Sequence, residues 1–560
     1  MMRRTGKWMV VPGVCVLALL ALPVAAPVRA DVGSWITSIN PFLDTYEKFE
    51  GKYIDTIEPG AWARPTWRDE VESGGRRDAL VIGREEREVG SAIEPEEGQL
   101  VSEAGVGSEL PSDDVLIRLQ GGYVEMPAFE AYLNELAQRL LAESPITGVP
   151  LKVRIWARDG VGEASAFPEG TVVIPVGLLP YVETEDELVA LLAHETSHVV
   201  LGHHDSDWLD VYQNRILGAA EVAFGALNAL SEKMGMTDKG GISELSQIAG
   251  VADSVYQISQ DGLLPSWGRE DEEQADLLGI DLMVRAGFDP NEVFTFLDRL
   301  QQWEESGGDP WEAKRADVQA RIEKSSESGE LGTAIAAVFE SARLEFDAFL
   351  ADEIEDNHPD TSDRYDALLA YYEREYEDEE DDFPEASSKN LAAVQASPAS
   401  QAVFRNYDHL REARKYLVDG DTDKAGLAAK KAISGPTSGH ARPRLAFFEI
   451  RKEEGKLSLA RKNLEIALRD PRAPYPVYKE LIALHLEGEK FDEAKDVLDR
   501  AWVSFEEAPQ LYPEFIDLNG KMGNLEEMNR LLVECRVRGR SMVSFCEKTA
   551  KQYAEDPEGS

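Results

Sequence analysis

Histidine and basic residues are scarce in this chain, cysteine scarcer still, and long apolar runs nearly absent. Its 560 residues hold 58 Lys and Arg against 105 Asp and Glu, a formal net charge of −47. That surplus of carboxylates argues against a nucleic-acid partner, because phosphate binding needs clustered basic side chains. It equally disfavours electrostatic adhesion to anionic lipid. Beyond the first thirty residues no apolar stretch reaches the length needed to span a bilayer. The nearest, residues 216–230, is short and contains Glu221, and reads as a buried or membrane-touching amphipathic helix. What is present is an apolar fraction of 43%, ample for globular folding, in a chain too long for one core.

The opening thirty residues read as a secretory signal peptide rather than part of the fold. Arg3, Arg4 and Lys7 give a positive start, residues 8–22 an apolar middle, and Val28-Arg29-Ala30 a small-residue cleavage site before Asp31. Export to a periplasm follows as the expectation. Cleavage would leave Cys535 and Cys546, which either pair as a disulfide or pack as two thiols in helices.

Residues 31–115 mix Gly, Pro, Ser and Glu and read as a partly disordered leader. From 116 the pattern tightens. Residues 123–144 carry apolar side chains at helical spacing, while 151–157 and 170–179 read as strands. A helix is predicted over 184–204, opened by Thr184 with Glu187 three residues on. Helix-rich sequence continues to about 375. Six consecutive acidic residues, 377–382, then lead into Pro384 and two serines, and 376–400 reads as an acidic linker. Past 400 the chain repeats. Ala425, Ala460, Ala494 and Met528 recur in one pattern of a turn residue, a small or flexible residue and an apolar stripe. Their interval of about 34 residues is that of the tetratricopeptide helix–turn–helix repeat, so 401–560 reads as an all-α solenoid with a concave polypeptide-binding face.

Four of the eight histidines lie in "LLAHETSHVVLGHHD", residues 191–205, inside an otherwise apolar helix. His194 and His198 stand four residues apart, so both imidazoles leave one helix face and can share a zinc ion. Glu195, next to the first ligand, is placed to take a proton from the attacking water. A catalytic zinc wants a third protein ligand and an open fourth position. Two candidates compete for the third place. His204 lies six residues after His198, but the pattern that uses such a histidine needs a glycine at 201, where Leu201 stands. Glu272, with Asp276 four residues on, offers two carboxylates on one face of a second helix. Glu272 would bind the metal and Asp276 would accept a hydrogen bond from a ligand histidine.

With these motifs in place the chain resembles zinc metalloendopeptidases of the HtpX kind, most of all their soluble periplasmic, BepA-like branch with a tetratricopeptide tail. The resemblance runs over 116–370 and the repeats, and rests on residues 164–179, 186–203, 272–290 and 358–364. It implies an α+β metallopeptidase domain over 116–375, mostly helical with a small sheet beside the active-site helix, followed by the all-α repeat solenoid. It implies His194, His198 and Glu272 as ligands of one zinc ion, Glu195 as general base and Asp276 behind a ligand. His203 and His204 read as structural. A His-Pro-x-x-x-x-Arg element, His358, Pro359 and Arg364, would stabilise the oxyanion, or His358 would instead block the metal's open position. Residues 171–176 would offer a sheet edge to an extended peptide. Glu163 and Glu169 depart from the family pattern at that turn, and 305–355 reads as an added helical insertion. The implied function is hydrolysis of unfolded or misassembled envelope proteins in outer-membrane protein quality control. The assembly machinery of that membrane is a further expected partner. The competing reading is a chaperone-like scaffold with a latent peptidase domain.

Overall fold

A computed structural model describes residues 51–63, 112–159, 164–204, 269–306, 361–418, 420–538 and 542–554. The expected signal peptide, the 216–230 helix, His358 and nearly all of the 305–355 insertion lie outside the described residues.

The described N-terminal elements are a 3-10 turn at Tyr53–Thr56, strand β1 (Gly60–Ala61) and helix α1 (Asp113–Leu119). Helix α2 (Pro127–Ala142) and strands β2 (Ile146–Thr147), β3 (Lys152–Trp156), β4 (Ser165–Ala166) and β5 (Thr171–Pro175) follow. Then come helices α3 (Glu185–Leu201), α4 (Arg269–Arg285), α5 (Glu292–Ser306), α6 (Thr361–Glu375) and α7 (Lys389–Gln395). The expected helix at 123–144 is α2, the two expected strands are β3 and β5, and the expected helix at 184–204 is α3.

The sheet order is β3-β5-β4, with β5 parallel to β3 and antiparallel to β4 through Ser165↔Val173 and Ala166↔Val172. This corrects the expectation of an edge at 171–176. β5 is the middle strand, because the short turn before it folds 165–166 back onto Val172 and Val173. The sheet ends on that side at β4, where the Ala166 carbonyl meets His204 Nε2 at 3.2 Å.

Alternation along the strands divides the buried residues between two cores. Val153, Ile155, Val172 and Ile174 face a first core with α2, α3, α4 and α6, in which Phe129, Leu133, Leu188, Leu192 and Leu278 are buried. Trp156 and Val173 face the opposite way, into a second core shared with α1 and the C-terminal helices. Helix α1 is the wedge there. Val115, Leu116, Ile117 and Leu119 are buried, and Arg118 gives its guanidinium to the carbonyls of Ala473 and Ser504 at 3.0–3.4 Å. Asp113 at its first turn accepts from the backbone N–H groups of Glu169 and Thr171 at 3.0–3.1 Å. The end of the expected leader therefore ties the sheet to the C-terminal region.

The linker expected at 376–400 also takes part in the fold. The carboxylates of 377–382 are exposed as expected, but Tyr376 before them and Leu391 after them are buried in the first core. Their apolar bodies outweigh the solvation of the acidic run.

Beyond Pro398 every described element is helical. The helices are α8 (Pro398–Val418), α9 (Thr422–Ala432), α10 (Ala441–Glu453), α11 (Leu457–Ala467), α12 (Tyr475–Glu487) and α13 (Phe491–Ser504). α14 (Tyr512–Lys521), α15 (Leu525–Arg538) and α16 (Val543–Ala554) complete them, apart from short 3-10 turns. α8 packs with α9, α10 with α11, α12 with α13 and α14 with α15. Ala425, Ala460, Ala494 and Met528 each occupy the fourth position of the second helix of a pair, and all four are buried. At the three alanines the small side chain lets the paired helices approach. Cys535 on α15 and Cys546 on α16 are joined as a disulfide, so the disulfide is the arrangement found rather than two packed thiols.

Candidate metal centre

Two helices build the site, and the first is held at both ends by local devices. Thr184 caps α3 by accepting from the Glu187 N–H at 3.0 Å, while Glu187 reaches back to the Glu183 N–H at 2.8 Å. At the other end Gly202 takes a positive φ of 69°, and its N–H and that of His203 bond to the carbonyls of Val199 and His198. This is a Schellman motif, and it folds His203 back over the last turn of the helix. Helix α4 crosses α3 at Gly279, where an added Cβ would lie 3.3 Å from the His194 backbone nitrogen. Glycine is what lets the two backbones come this close. Seven residues before it on the same helix stands Glu272, and three before it Asp276.

The crossing brings His194, His198 and Glu272 together, the three groups among the described residues whose donor atoms all lie within 4.8 Å of one another. The Nε2 atoms of the histidines are 3.1 Å apart, and the Glu272 oxygens lie 3.3 Å from His194 Nε2 and 3.8 Å from His198 Nε2. Ligands at 2.0–2.2 Å around a tetrahedral ion are separated by about 3.3–3.6 Å. The donor set fits a divalent cation of the zinc type in size, and also in chemistry, being two imidazoles and a carboxylate. His198 and Glu272 are buried, and His194 is partly exposed, its side chain at 17%.

Each histidine is braced from behind. His194 Nδ1 lies 2.8 Å from Asp276 Oδ1. Arg364 on α6 grips the same carboxylate through Nε at 2.9 Å and Nη2 at 2.7 Å, with Nη1 3.6 Å from Glu272. Burial would raise the Asp276 carboxyl, but the charges of Arg364 and His194 outweigh it and hold the group below its ordinary range. Ionised Asp276 only accepts, so His194 Nδ1 carries the proton and Nε2 points inward. Burial also opposes charge on His194, yet hydrogen bonding to Asp276 and Glu272 pushes that imidazole up to about 10. A proton and a metal ion thus compete for Nε2. Burial first, and then the charge of His194, hold His198 well below its ordinary value. Its Nδ1 lies 2.8 Å from the Nδ1 of His203.

The sequence-derived residues therefore divide as follows. His194, His198 and Glu272 converge, with Asp276 behind His194. Glu195 is 6% exposed on the same helix turn. His204 turns away to the Ala166 carbonyl. Arg364 grips Asp276 and lies 3.6 Å from Glu272, a buried carboxylate being a strong claim on a planar guanidinium. The contacts that sequence reasoning missed are those of Arg364, Gly279 and His203. For the last, Gly202 immediately after a helix was the available signal.

Residues 127–372 match the model of peptidase family M48. The chain is 27% identical over 202 residues to the beta-barrel assembly-enhancing protease of Escherichia coli (strain K12), covering 36% of this chain and 39% of that one. It is 30% identical over 174 residues to the protein of the same name from Yersinia pestis, covering 31% and 33%. Against the mitochondrial metalloendopeptidase OMA1 of Schizosaccharomyces pombe it is 28% identical over 169 residues, covering 30% and 43%. The chain thus spans well under half the length of these curated relatives. The HExxH helix, the distant glutamate and the braced histidines all lie inside residues 127–372, the span over which the chain is similar to peptidase family M48.

Proposed function

We propose that the protein is a zinc-dependent endopeptidase acting on unfolded or misassembled envelope proteins in the periplasm. The observation that carries the reading is the convergence of His194, His198 and Glu272, with Asp276 and Arg364 behind them. A zinc ion held there supplies Lewis acidity for the scissile carbonyl and for the attacking water. His194, His198 and Glu272 would hold it. Glu195 takes the proton of the water and passes it to the leaving amine. Arg364 keeps Asp276 ionised and so keeps His194 in the tautomer that can bind metal, a positioning role in place of the expected oxyanion contact. His358 remains the proposed donor to the oxyanion.

The paired helices beyond Pro398, with a buried residue recurring every 34 or 35 positions, support a tetratricopeptide solenoid that recruits substrates or partners. The names of the bacterial relatives point to β-barrel assembly in the outer membrane, and we extend that quality-control role to this chain. Among the described residues no helix is long and apolar enough to cross a membrane.

The test is the Glu195→Gln variant. Cleavage of an unfolded protein such as casein should fall at least ~100-fold, the scale of general acid–base catalysis, with bound zinc unchanged. Undiminished cleavage would overturn the assignment. Capture of envelope proteins without cleavage by either form would favour a scaffold.

A further inference from the structure

Asp276 explains how His194 is held, but leaves His198 to be explained. A histidine binds zinc through a lone pair only if its other nitrogen carries the proton, and that proton needs an acceptor. His198 Nδ1 lies 2.8 Å from His203 Nδ1. The rings meet edge to face, with centroids 4.9 Å apart and planes at 72°. His203 is brought there by the Schellman turn at Gly202, and its own N–H bonds to the His198 carbonyl at 3.1 Å. Asp271 Oδ1 lies 3.9 Å from His203 Nε2, and Gln274 makes a side-chain hydrogen bond to the ring. Both are on α4, the helix that supplies Glu272.

We propose that His203 is a positioning residue for the metal site, fixing the tautomer and ring orientation of His198 as Asp276 does for His194. One proton arrangement fits the contacts of His198 with His203, His194 and Glu272. His198 Nε2 faces His194 Nε2 and Glu272, so as a ligand it must present its lone pair. Its proton then sits on Nδ1 and is donated to His203 Nδ1. His203 must accept there, so its own proton sits on Nε2, 3.9 Å from Asp271 Oδ1. The reverse arrangement would put a proton on His198 Nε2, 3.1 Å from His194 Nε2, and close the site to metal. One helix thus contributes the ligand Glu272, the brace Asp276, and the groups that orient the brace of His198. A neutral imidazole behind one ligand and an ionised carboxylate behind the other make the two histidines unequal. His194 is the more electron-rich.

This inference rests on the reading of His194, His198 and Glu272 as zinc ligands, and the experiment separates the two. Zinc affinity of the purified full chain is measured by competition with a chromophoric chelator for wild type, His203→Ala and His203→Asn. The thermal midpoints of the metal-free forms are recorded alongside. His203→Ala should bind zinc 10–100-fold more weakly, the usual loss when a ligand histidine loses its brace. His203→Asn, whose side-chain oxygen falls near the position of Nδ1, should recover most of that affinity. Cobalt-substituted wild type and His203→Asn should share a visible spectrum that His203→Ala shifts. A residue that only fills space would give equal affinities for Ala and Asn, and that result overturns the proposal. If His203→Ala fails to fold, Gln274→Met supplies the reading, with a smaller loss expected and wild-type affinity counting against the proposal. Failure of wild type to bind zinc would instead remove the metal-site reading itself.

Discussion

Replacing Arg364 by methionine keeps the aliphatic stem and removes the guanidinium that grips Asp276. Two charge-assisted hydrogen bonds of 2.9 and 2.7 Å are lost at a place where both side chains are only 9% exposed. The Asp276 carboxyl, now buried without its cation, rises and becomes able to hold a proton, and its claim on the His194 Nδ1 proton weakens. Loss of support behind a metal-binding histidine costs 10–100-fold in affinity, or about 1.4–2.8 kcal/mol. Asp276→Asn should cost a similar amount for the same reason. Because both act through one nitrogen, the double variant should lose no more than the worse single variant. Chelator competition on the four proteins closes the cycle, and the coupling should equal most of one single loss. Wild-type zinc affinity in Arg364→Met would refute the positioning role, and losses that simply add would refute the shared route through His194.

Three further outcomes follow from the same geometry. Reducing the Cys535–Cys546 disulfide opens a loop of sequence separation 11, worth about 3 kcal/mol by loop-closure entropy. Hydrogen exchange in α15 and α16 should accelerate on reduction and the α3–α4 crossing should not, and equal protection before and after would count against it. Gly279→Val sets a branched side chain against the His194 backbone and should cost ~1–3 kcal/mol through overpacking, with weaker zinc binding. An unchanged thermal midpoint with unchanged affinity would show that the crossing is not as close as described.

The third outcome is a pH dependence at Asp281. Burial pushes its carboxyl up to about 6 from the ordinary 3.8, against hydrogen bonds from Tyr376, the Ile54 N–H and Tyr371. Between those values the folded chain holds a proton that the unfolded chain has released. Stability therefore falls by up to ~3 kcal/mol as pH rises from about 4 to 6 and is flat above. Asp281→Asn should lack that slope in denaturant melts, and an identical slope in both proteins would refute it.

Much of the site was legible in the chain because its signals are local. The spacing of His194 and His198 depends only on helix pitch, and the cap at Thr184 and the pairing of Glu272 with Asp276 depend on nothing beyond four residues. The recurrence along the C-terminal helices was legible for the same reason, since Ala425, Ala460, Ala494 and Met528 each lie buried at one level of the second helix of a pair. The choice between the two candidates for a third ligand was not decided this way. His204 and Glu272 both satisfied local spacing, and only the close crossing at Gly279 brings one of them to the histidines while His204 turns to Ala166.

The sequence by itself determined that a helix here would present two imidazoles and a carboxylate, that a second helix would present two acids, and that paired helices would follow. Tertiary structure alone decided where Arg364 spends its charge, which strand ends the sheet, that an acidic run could sit between two buried anchors, and what stands behind His198. Periodicity is a property of one segment, whereas a hydrogen bond between residues 88 positions apart depends on how whole helices cross. That crossing is fixed by packing, which no single stretch of the chain encodes.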